Sequence, residues 1–155
     1  MSVSKKMLCA LGALGAFSAA AAYLLPVYRV QGSSMVPTLK NGDIVLLKRN
    51  TKPVRGDIAA FRHEGRVMIK RVAAIGGDTV DITHGGAVLV NGCIQVEPYI
   101  SRPDRGICDA PLPLTVPEDH FFMLGDERML SIDSRSSRVG LISRKTIIGT
   151  LIRTF

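Results

Sequence analysis

The apolar residues of this chain are concentrated in one long run near its beginning. Residues 7–28 carry no charge, and 18 of these 22 residues are apolar. In a helix, with a rise of about 1.5 Å per residue, such a run extends roughly 33 Å and exceeds the hydrocarbon thickness of a membrane, about 30 Å. The pattern therefore predicts a transmembrane anchor over residues 7–28, preceded by a short basic tail over residues 1–6.

A cleaved secretory signal is the alternative interpretation of this run. Lys5 and Lys6 form a basic start, and small residues follow at positions 18–22. The apolar run continues beyond those small residues to Tyr28, however, which is long for a signal peptide. Its length favours an uncleaved anchor. The charges alone leave the topology open, because Arg29 and further basic residues follow the run closely.

The rest of the chain alternates between short apolar runs and turn residues. Runs rich in Val, Ile and Phe, bounded by Gly or Asn, predict strands. Six such runs are found, at residues 43–48, 56–61, 67–72, 88–90, 121–124 and 147–152. Hairpin-type turns are predicted at Asn41-Gly42, Gly85-Gly86 and Asn91-Gly92. Residues 101–117 hold four prolines and predict an irregular excursion. Because no segment after the first run has a sustained helical period, a mainly β domain is predicted.

Composition and charge narrow the class of protein further. The 155 residues suggest one domain, and residues 29–155 hold 52 apolar residues out of 127, an ordinary content for a globular body. Trp is absent and aromatic residues make up only 5%, which argues against a stacking surface for nucleic acid. The net charge of +7 leaves a basic surface for anionic partners open.

The spacing of cysteine and histidine argues against a metal site. The three cysteines and three histidines are scattered, with neither CxxC nor HExxH among them. We therefore expect neither a metal nor another cofactor. A disulfide between Cys93 and Cys108 is a hypothesis that applies if their domain faces an oxidising compartment.

A serine and a lysine are the first candidates for chemistry. Ser34 precedes a proline-containing turn, and strand alternation places Lys70 on one face with Met68, Val72 and Ala74. Burial on such a face lowers the pKa of a lysine, and the neutral amine can then take a proton from a hydroxyl. A Ser–Lys dyad that attacks a carbonyl is one interpretation. The other interpretation is that the serine only shapes a turn and that the lysine reaches water from an edge strand.

A polar segment from Gly125 to Gly140 is the second candidate region. It interleaves acidic, arginine and hydroxyl residues directly after a predicted strand. Bidentate Asp–Arg pairs would hold such a loop rigid, although a solvated turn is the ordinary alternative.

Together and in this order, these segments resemble the membrane-bound type I signal peptidases, which are Ser–Lys endopeptidases that remove signal peptides on the outer face of a membrane. The resemblance covers nearly the whole chain. After the apolar run, the matching motifs are Ser-Met-x-Pro-Thr-Leu at 34–39, Arg-Gly-Asp-Ile at 55–58, Lys-Arg-Val at 70–72 and Gly-Asp-x-Arg…Ser-x-Asp-Ser-Arg at 125–135. Each motif is weak alone, but their order and spacing make the combination specific.

The resemblance implies a role for each matching residue. Ser34 is the expected nucleophile, Lys70 the general base, and Ser131 the residue whose hydroxyl orients the lysine amine. The Ser34 backbone N–H would stabilise the oxyanion, whereas Gly32 stands where some members have a second, hydroxyl donor. The residues expected to brace the site are Arg71, Asp126, Arg128, Asp133 and Arg135.

The resemblance also implies a fold and a location. It predicts an N-terminal transmembrane helix followed by a barrel-like antiparallel β catalytic domain over residues 29–155, with a small cap at residues 79–117. The tail over residues 1–6 would be cytoplasmic. The chain would cross the cell inner (cytoplasmic) membrane once, with the catalytic domain on the outer, periplasmic side.

The resemblance further implies a mode of substrate binding. An exported precursor would lie extended beside strands around Tyr28–Gln31 and Val67–Ile69, with the small residues of an Ala-x-Ala site in shallow pockets. Contacts to this substrate are expected from Val30, Gln31, Met35, Met68 and Ile69. Precursor proteins and membrane lipid are therefore the expected partners, and nucleic acid is not.

Two alternative functions are kept beside this prediction. One is a specialised relative, such as a conjugative-transfer peptidase that matures a pilin, since the chain is short and its cap small. The other is a basic β-domain tethered to a membrane that binds anions without catalysis, which would make its affinity steeply dependent on salt and independent of Ser34. A soluble self-cleaving Ser–Lys repressor is disfavoured, because no DNA-reading helix pair precedes the β-domain.

Overall fold

A computed structural model describes residues 23–155, which form eleven strands and one 3₁₀ turn. The strands are β1 (Val27–Arg29), β2 (Ile44–Lys48), β3 (Ile58–His63), β4 (Arg66–Ile75), β5 (Thr79–Ile82), β6 (Val88–Val90), β7 (Cys93–Ile94), β8 (Leu114–Thr115), β9 (His120–Leu124), β10 (Ile142–Ser143) and β11 (Ile147–Thr154). The 3₁₀ turn spans Arg144–Thr146. A seven-stranded sheet has the order β1-β2-β11-β3-β4-β9-β10, and a four-stranded sheet has the order β7-β6-β5-β8.

The six predicted apolar runs all form strands, so the mainly β prediction is confirmed. They correspond to β2, β3, β4, β6, β9 and β11. β5, β7, β8 and β10 were not predicted and have four residues or fewer. β1 was not predicted from the apolar pattern, but it overlaps residues 28–31, where the resemblance implied an extended strand. The Asn91-Gly92 turn joins β6 to β7 with φ values of 54° and 80°, the left-handed conformation that a two-residue hairpin loop requires.

The core of the large sheet lies on both of its faces. Ile58 and Ala60 of β3 pack with Val45 and Leu47 of β2, and their neighbours on β3 pack into a second cluster on the other face. This double burial explains why β3 reads as a continuous apolar run rather than as an alternating one. On β4 the burial alternates, as predicted, and Lys70, Val72 and Ala74 are the buried set.

The small sheet packs against the end of the large one. Val80, Val88 and Val90 form a cluster with Phe122 and Leu124 of β9. Residues 101–117 are irregular as predicted, apart from the two residues of β8, and the irregular segment begins earlier than predicted, directly after β7. It nevertheless contributes side chains to the region beside β4 and β9, which is described below.

The predicted helix is wrong at its C-terminal end. It was predicted to continue to Tyr28, but Val27–Arg29 form β1, with Tyr28 opposite Val45. Pro26 biases the residue before it away from helical backbone, and Val27 and Tyr28 favour a strand. Within residues 23–155, no helix is long and apolar enough to cross a membrane. The remainder of the predicted anchor, residues 7–22, and the predicted tail, residues 1–6, lie outside the residues that the structure describes.

The predicted barrel-like body is also wrong. The large sheet is open, because β1 and β10 are its outer strands and the structure pairs neither with the other over residues 23–155. These outer strands have only three and two residues.

The hypothetical disulfide is not formed in the structure. Cys93 and Cys108 are both free thiols, and Cys93 is exposed on β7. Residues 79–117, which include both cysteines, are held instead by the apolar cluster under the small sheet and by polar contacts to the region after β9.

Candidate active site

The segment that carries Ser34 is anchored in the core on both sides of the serine. Val30, Met35 and Leu39 are all buried in the cluster beneath β2 and β3. The Leu39 backbone N–H donates to the Met35 carbonyl at 2.8 Å, which closes a turn after the serine. Because its neighbours on both sides are buried, Ser34 is held in a defined place at the rim of the sheet.

Lys70 reaches Ser34 from the middle of β4. It lies opposite Ala59 of β3, only 3% of its surface is exposed, and its Nζ is 2.5 Å from Ser34 Oγ. Burial lowers the pKa of Lys70 from 10.5 to about 8; Asp133 opposes that shift and Arg135 adds to it. The amine is therefore within hydrogen-bond distance of the hydroxyl and is readily deprotonated near neutral pH.

The loop at residues 125–131, called here the site loop, closes the other side of Ser34. Its Glu127 backbone N–H donates to the Ser34 carbonyl at 3.1 Å. Its first residue, Gly125, donates its backbone N–H to Asp133 Oδ2 at 2.9 Å. The nucleophile segment and the site loop are thus joined directly through their backbones.

Ser131 is brought to the site but does not make the contact that the resemblance implies. Its backbone N–H donates to the Glu127 carbonyl at 3.0 Å, which places it at the end of the site loop. Its Oγ is buried and has no hydrogen-bond partner among the residues that the structure describes, so it does not bond the Lys70 amine here.

Two buried Asp–Arg pairs brace the site loop, as the polar pattern predicted. Arg135 binds both oxygens of Asp133 at 2.8 Å, with side-chain exposures of 1% and 0%. Arg71 binds both oxygens of Asp126 at 2.9 and 2.6 Å. Arg135 also donates to the carbonyls of Arg105 and Arg128 at 2.8 Å, so all three of its guanidinium nitrogens donate hydrogen bonds. The acidic and arginine side chains that brace the loop are therefore paired and largely buried rather than solvated, whereas the apolar Met129, Leu130 and Ile132 are exposed.

Gly32 explains why a second oxyanion hydroxyl is missing. Its φ is +87°, a backbone conformation that is strained for any residue with a side chain. The Gly32 backbone N–H donates to Asn41 Oδ1 at 3.0 Å, which fixes this turn. A serine at this position would therefore strain the segment that presents Ser34.

A cleft of about 450 Å³ runs beside the dyad, between the end of β1 and the start of β4. It is lined by Ser34, Lys70 and Gly32 and by the five residues predicted to contact substrate, Val30, Gln31, Met35, Met68 and Ile69. Tyr28 and Arg29 also line it, within the stretch of residues 28–31 beside which the substrate was expected to lie. Arg66 lines it as well and was not predicted, because a single residue at the end of a strand carries no periodic signal. Residues 23–155 contain no cluster of His, Cys, Asp and Glu that could hold a metal ion.

Comparison with known families decides what kind of site this is. The family model described as signal peptidase, peptidase S26, matches residues 3–155. The chain belongs to the signal peptidase S26 family.

Individual members of the family agree with this assignment. Signal peptidase I P of Bacillus subtilis subsp. natto is 33% identical over 140 residues, which cover 82% of this chain and 75% of the relative. Signal peptidase I of Bacillus licheniformis is 34% identical over 142 residues, which cover 83% and 75%. A crystal structure of a signal peptidase I from Enterococcus faecalis V583 superposes with a TM-score of 0.56 at 30% identity, covering 66% of this chain and 98% of that one.

Membership in the signal peptidase family confirms the class of protein that the motifs predicted. The protein is a signal peptidase I-like serine endopeptidase, a hydrolase that acts on exported precursor proteins carrying signal peptides.

Gly125 leaves no room for a side chain in this signal peptidase site. A Cβ at Gly125 would meet the Ser131 side chain and the Ser34 carbonyl oxygen, the latter at 2.5 Å. We expect Gly125→Ala to lower kcat about 100-fold, because a displacement of roughly 1 Å at a reacting group has that effect. Steady-state cleavage of a precursor by the purified variant measures this.

The matched control for this variant is Gly85→Ala. Gly85 has an ordinary φ, and its nearest neighbour to a Cβ, Thr83 Oγ1, is 3.9 Å away. Cleavage by Gly85→Ala should equal that of the wild type. A Gly125→Ala protein of unchanged kcat would show that the close approach is not needed.

Proposed function

We propose that this peptidase works through a Ser–Lys dyad, with Ser34 as nucleophile and Lys70 as general base. The observation that carries the proposal is the 2.5 Å distance between Ser34 Oγ and the buried Lys70 Nζ. A buried amine with a pKa of about 8 is neutral in a useful fraction of molecules at neutral pH. A lysine that reached water from an edge strand would have neither the burial nor this contact.

The proposed reaction proceeds in two halves. Lys70 Nζ takes the Ser34 proton as Oγ attacks the scissile carbonyl carbon, and the resulting ammonium gives that proton to the leaving amine. A water then enters, loses a proton to Lys70 Nζ and attacks the acyl carbon. The bond to Ser34 Oγ breaks, the carboxylate product leaves, and Lys70 returns the proton to Ser34 Oγ. The Ser34 backbone N–H, which has no acceptor within residues 23–155, is available to the oxyanion.

Ser131 has a proposed part in this cycle. The Ser131 Oγ is buried without a hydrogen-bond partner among the described residues. An unsatisfied buried hydroxyl lowers the stability of the folded state by about 1–3 kcal/mol unless it gains a hydrogen bond. When Lys70 becomes an ammonium it gains a third N–H donor. We assign Ser131 Oγ as the acceptor that orients this ammonium, with Asp133 and Arg135 holding the surrounding loop.

The cleft supports an extended substrate. In the described part of the large sheet, β1 pairs only with β2, and β9 pairs with β4 only from Arg71 onward. The outer edge of β1 and the edge of residues 66–69 therefore both offer unpaired backbone groups to a peptide. We propose that the signal peptide adds as a strand here and that its small Ala-x-Ala side chains meet Met35, Met68 and Ile69.

The location of the reaction is proposed to be the outer, periplasmic face of the cytoplasmic membrane. Exported precursors present their signal peptides there. Residues 29–155 carry 18 Lys and Arg against 13 Asp and Glu, a net charge that suits a surface of anionic lipid head groups.

The dyad predicts a specific pH dependence. Cleavage needs neutral Lys70, whose pKa is about 8 in the folded protein. We expect kcat/KM to rise about tenfold per pH unit below pH 8 and to level off above it. A pH series with a peptide that lacks titratable groups near the cut measures this. A profile that stays flat down to pH 5 would exclude Lys70 as the base.

The experiment that tests the function is precursor cleavage by the purified protein, with wild type and Ser34→Ala side by side. A general precursor with Ala-x-Ala before the cut is compared with one in which both alanines are replaced by bulky residues. Cleavage of the first alone supports the proposal. A wild type that ignores both but cleaves a pilin precursor would identify the dedicated conjugative-transfer peptidase instead.

A further inference from the structure

A chain of buried contacts joins the insertion between β7 and β8 to the site loop. We propose that Glu97 and Tyr99, in this insertion, are positioning residues of the peptidase that hold the site loop in its working place. This inference rests on the Ser34–Lys70 function proposed above. Neither residue belongs to the motifs that carry the family resemblance, and neither touches the dyad.

Glu97 holds the site loop through Arg128. The Arg128 guanidinium donates to both oxygens of Glu97, at 2.9 and 2.5 Å, with side-chain exposures of 2% and 7%. The Arg128 Nε donates to the Gly125 carbonyl at 3.0 Å, which ties this ion pair to the first residue of the loop. Because Arg128 is buried, its charge depends on the Glu97 carboxylate.

Tyr99 holds the loop at a second point, through Arg71. The Arg71 guanidinium carbon lies 3.8 Å above the centre of the Tyr99 ring, in cation–π contact, while its nitrogens bind Asp126. The Tyr99 hydroxyl donates to Glu97 Oε1 at 2.8 Å, so the two insertion residues also hold each other. Burial and the neighbouring Glu97 raise the pKa of Tyr99, which keeps the hydroxyl a donor at working pH.

These contacts reach the segment that carries the nucleophile. Asp126 accepts from Thr38 Oγ1 at 2.5 Å, on the segment that carries the nucleophile. The next residue, Glu127, donates its N–H to the Ser34 carbonyl. Tyr99 and Glu97 therefore limit how far the Ser34 segment and the site loop can move. A shift of roughly 1 Å in the position of Ser34 is costly for catalysis.

The same contacts set part of the electrostatic field at Lys70. The charged groups that act on its amine are Asp133 and Asp126, which favour the ammonium, and Arg135, which opposes it. Arg71 offsets the charge of Asp126 as long as Tyr99 keeps it in place. If the ring is removed and Arg71 loosens, the Asp126 carboxylate acts more strongly on Lys70 and favours its protonated form.

The test compares Tyr99→Leu, Tyr99→Phe and Glu97→Gln with the wild type. We expect Tyr99→Leu and Glu97→Gln each to lower kcat tenfold or more while KM changes less than twofold, because the cleft is untouched. Tyr99→Phe keeps the stacked ring and should lose less than threefold. In Tyr99→Leu the acid limb of the pH profile should move to higher pH.

Controls separate positioning from a merely structural role. Glu118→Gln, an exposed carboxylate in the turn before β9, should leave kcat and the pH profile unchanged. All rates are measured well below each variant's thermal midpoint, on monodisperse protein. The proposal would be overturned if kcat fell only in proportion to the unfolded fraction of the variant and the pH profile did not shift. If Tyr99→Leu does not fold, a Tyr99→Phe and Glu97→Gln pair that both match the wild type would overturn it equally.

Failure of this inference is distinguishable from failure of the proposed function. A wild type that cleaves, a Ser34→Ala protein that does not, and a Tyr99→Leu protein equal to wild type would overturn the inference alone. A wild type without cleavage, or a Ser34→Ala protein as active as wild type, would overturn the dyad and the inference together.

Discussion

Replacing Ser34 with alanine is expected to lower precursor cleavage about 10⁴-fold or more, since the atom that forms the acyl-enzyme is lost. Lys70→Met should have an effect of the same size, because the hydroxyl that lies 2.5 Å from Nζ then has no base. The double variant should be no worse than either single one, as expected of residues that act as one unit. Release of the mature domain from a precursor, followed over hours, measures rates of this size.

Ser33→Ala is the matched control for the nucleophile. Ser33 is the adjacent serine, and its carbonyl accepts from the Val36 N–H, a contact that alanine retains. Its variant should cleave at the wild-type rate. If Ser34→Ala kept activity and Ser33→Ala lost it, the nucleophile would be the neighbouring serine and the dyad as assigned would be wrong.

Lys70→Met should also raise the free energy of unfolding near pH 7, which shows that its inactivity is not due to misfolding. The pKa of Lys70 is about 8 when folded and 10.5 when unfolded, so between these values the unfolded chain binds more protons and stability rises with pH. Below pH 8 the native protein holds a buried ammonium at a penalty of about 3 kcal/mol, which methionine does not have. Urea unfolding at pH 7 and pH 10 should show that most of the advantage of Lys70→Met is lost at the higher pH.

Asp133→Asn is expected to destabilise the protein by about 3–5 kcal/mol, the second large effect. Asp133 accepts both donors of Arg135 and the Gly125 N–H, and its side chain is fully buried. Without the carboxylate, Arg135 retains a charge that is buried and uncompensated. Since small domains are stable by only about 5–15 kcal/mol, much of the total would be lost.

Chemical denaturation with urea measures this loss against a surface control. Asp119 pairs with Arg144 at 3.4 Å, and the exposures of the two side chains are 70% and 48%. Asp119→Asn should therefore have no measurable effect, as is common for exposed ion pairs. Equal stability losses in Asp119→Asn and Asp133→Asn would contradict a special role for the buried pair. In folded Asp133→Asn, the acid limb of activity should move to lower pH, because Asp133 favours protonated Lys70.

Local pattern accounts for the parts of the fold that were predicted correctly. Runs of β-branched and aromatic residues between Gly and Asn turns became strands because their backbone preferences and their burial agree. The alternation around Lys70 also held, since β4 has one buried face at that point. The apolar pattern failed at Pro26, because the apolar run continues past this proline to Tyr28 whereas the backbone turns there into a strand.

The sequence by itself determined the strand-rich body, the membership in the signal peptidase family and the two candidate residues of the dyad. Motif order identifies these residues because their types and spacing are written locally. Only the tertiary structure decided that the sheet stays open, that Gly32 needs its left-handed backbone, and that Glu97 reaches Arg128 across 31 residues. Such contacts depend on how distant segments pack, and the irregular segment that holds Glu97 carries no period from which its partner could be predicted.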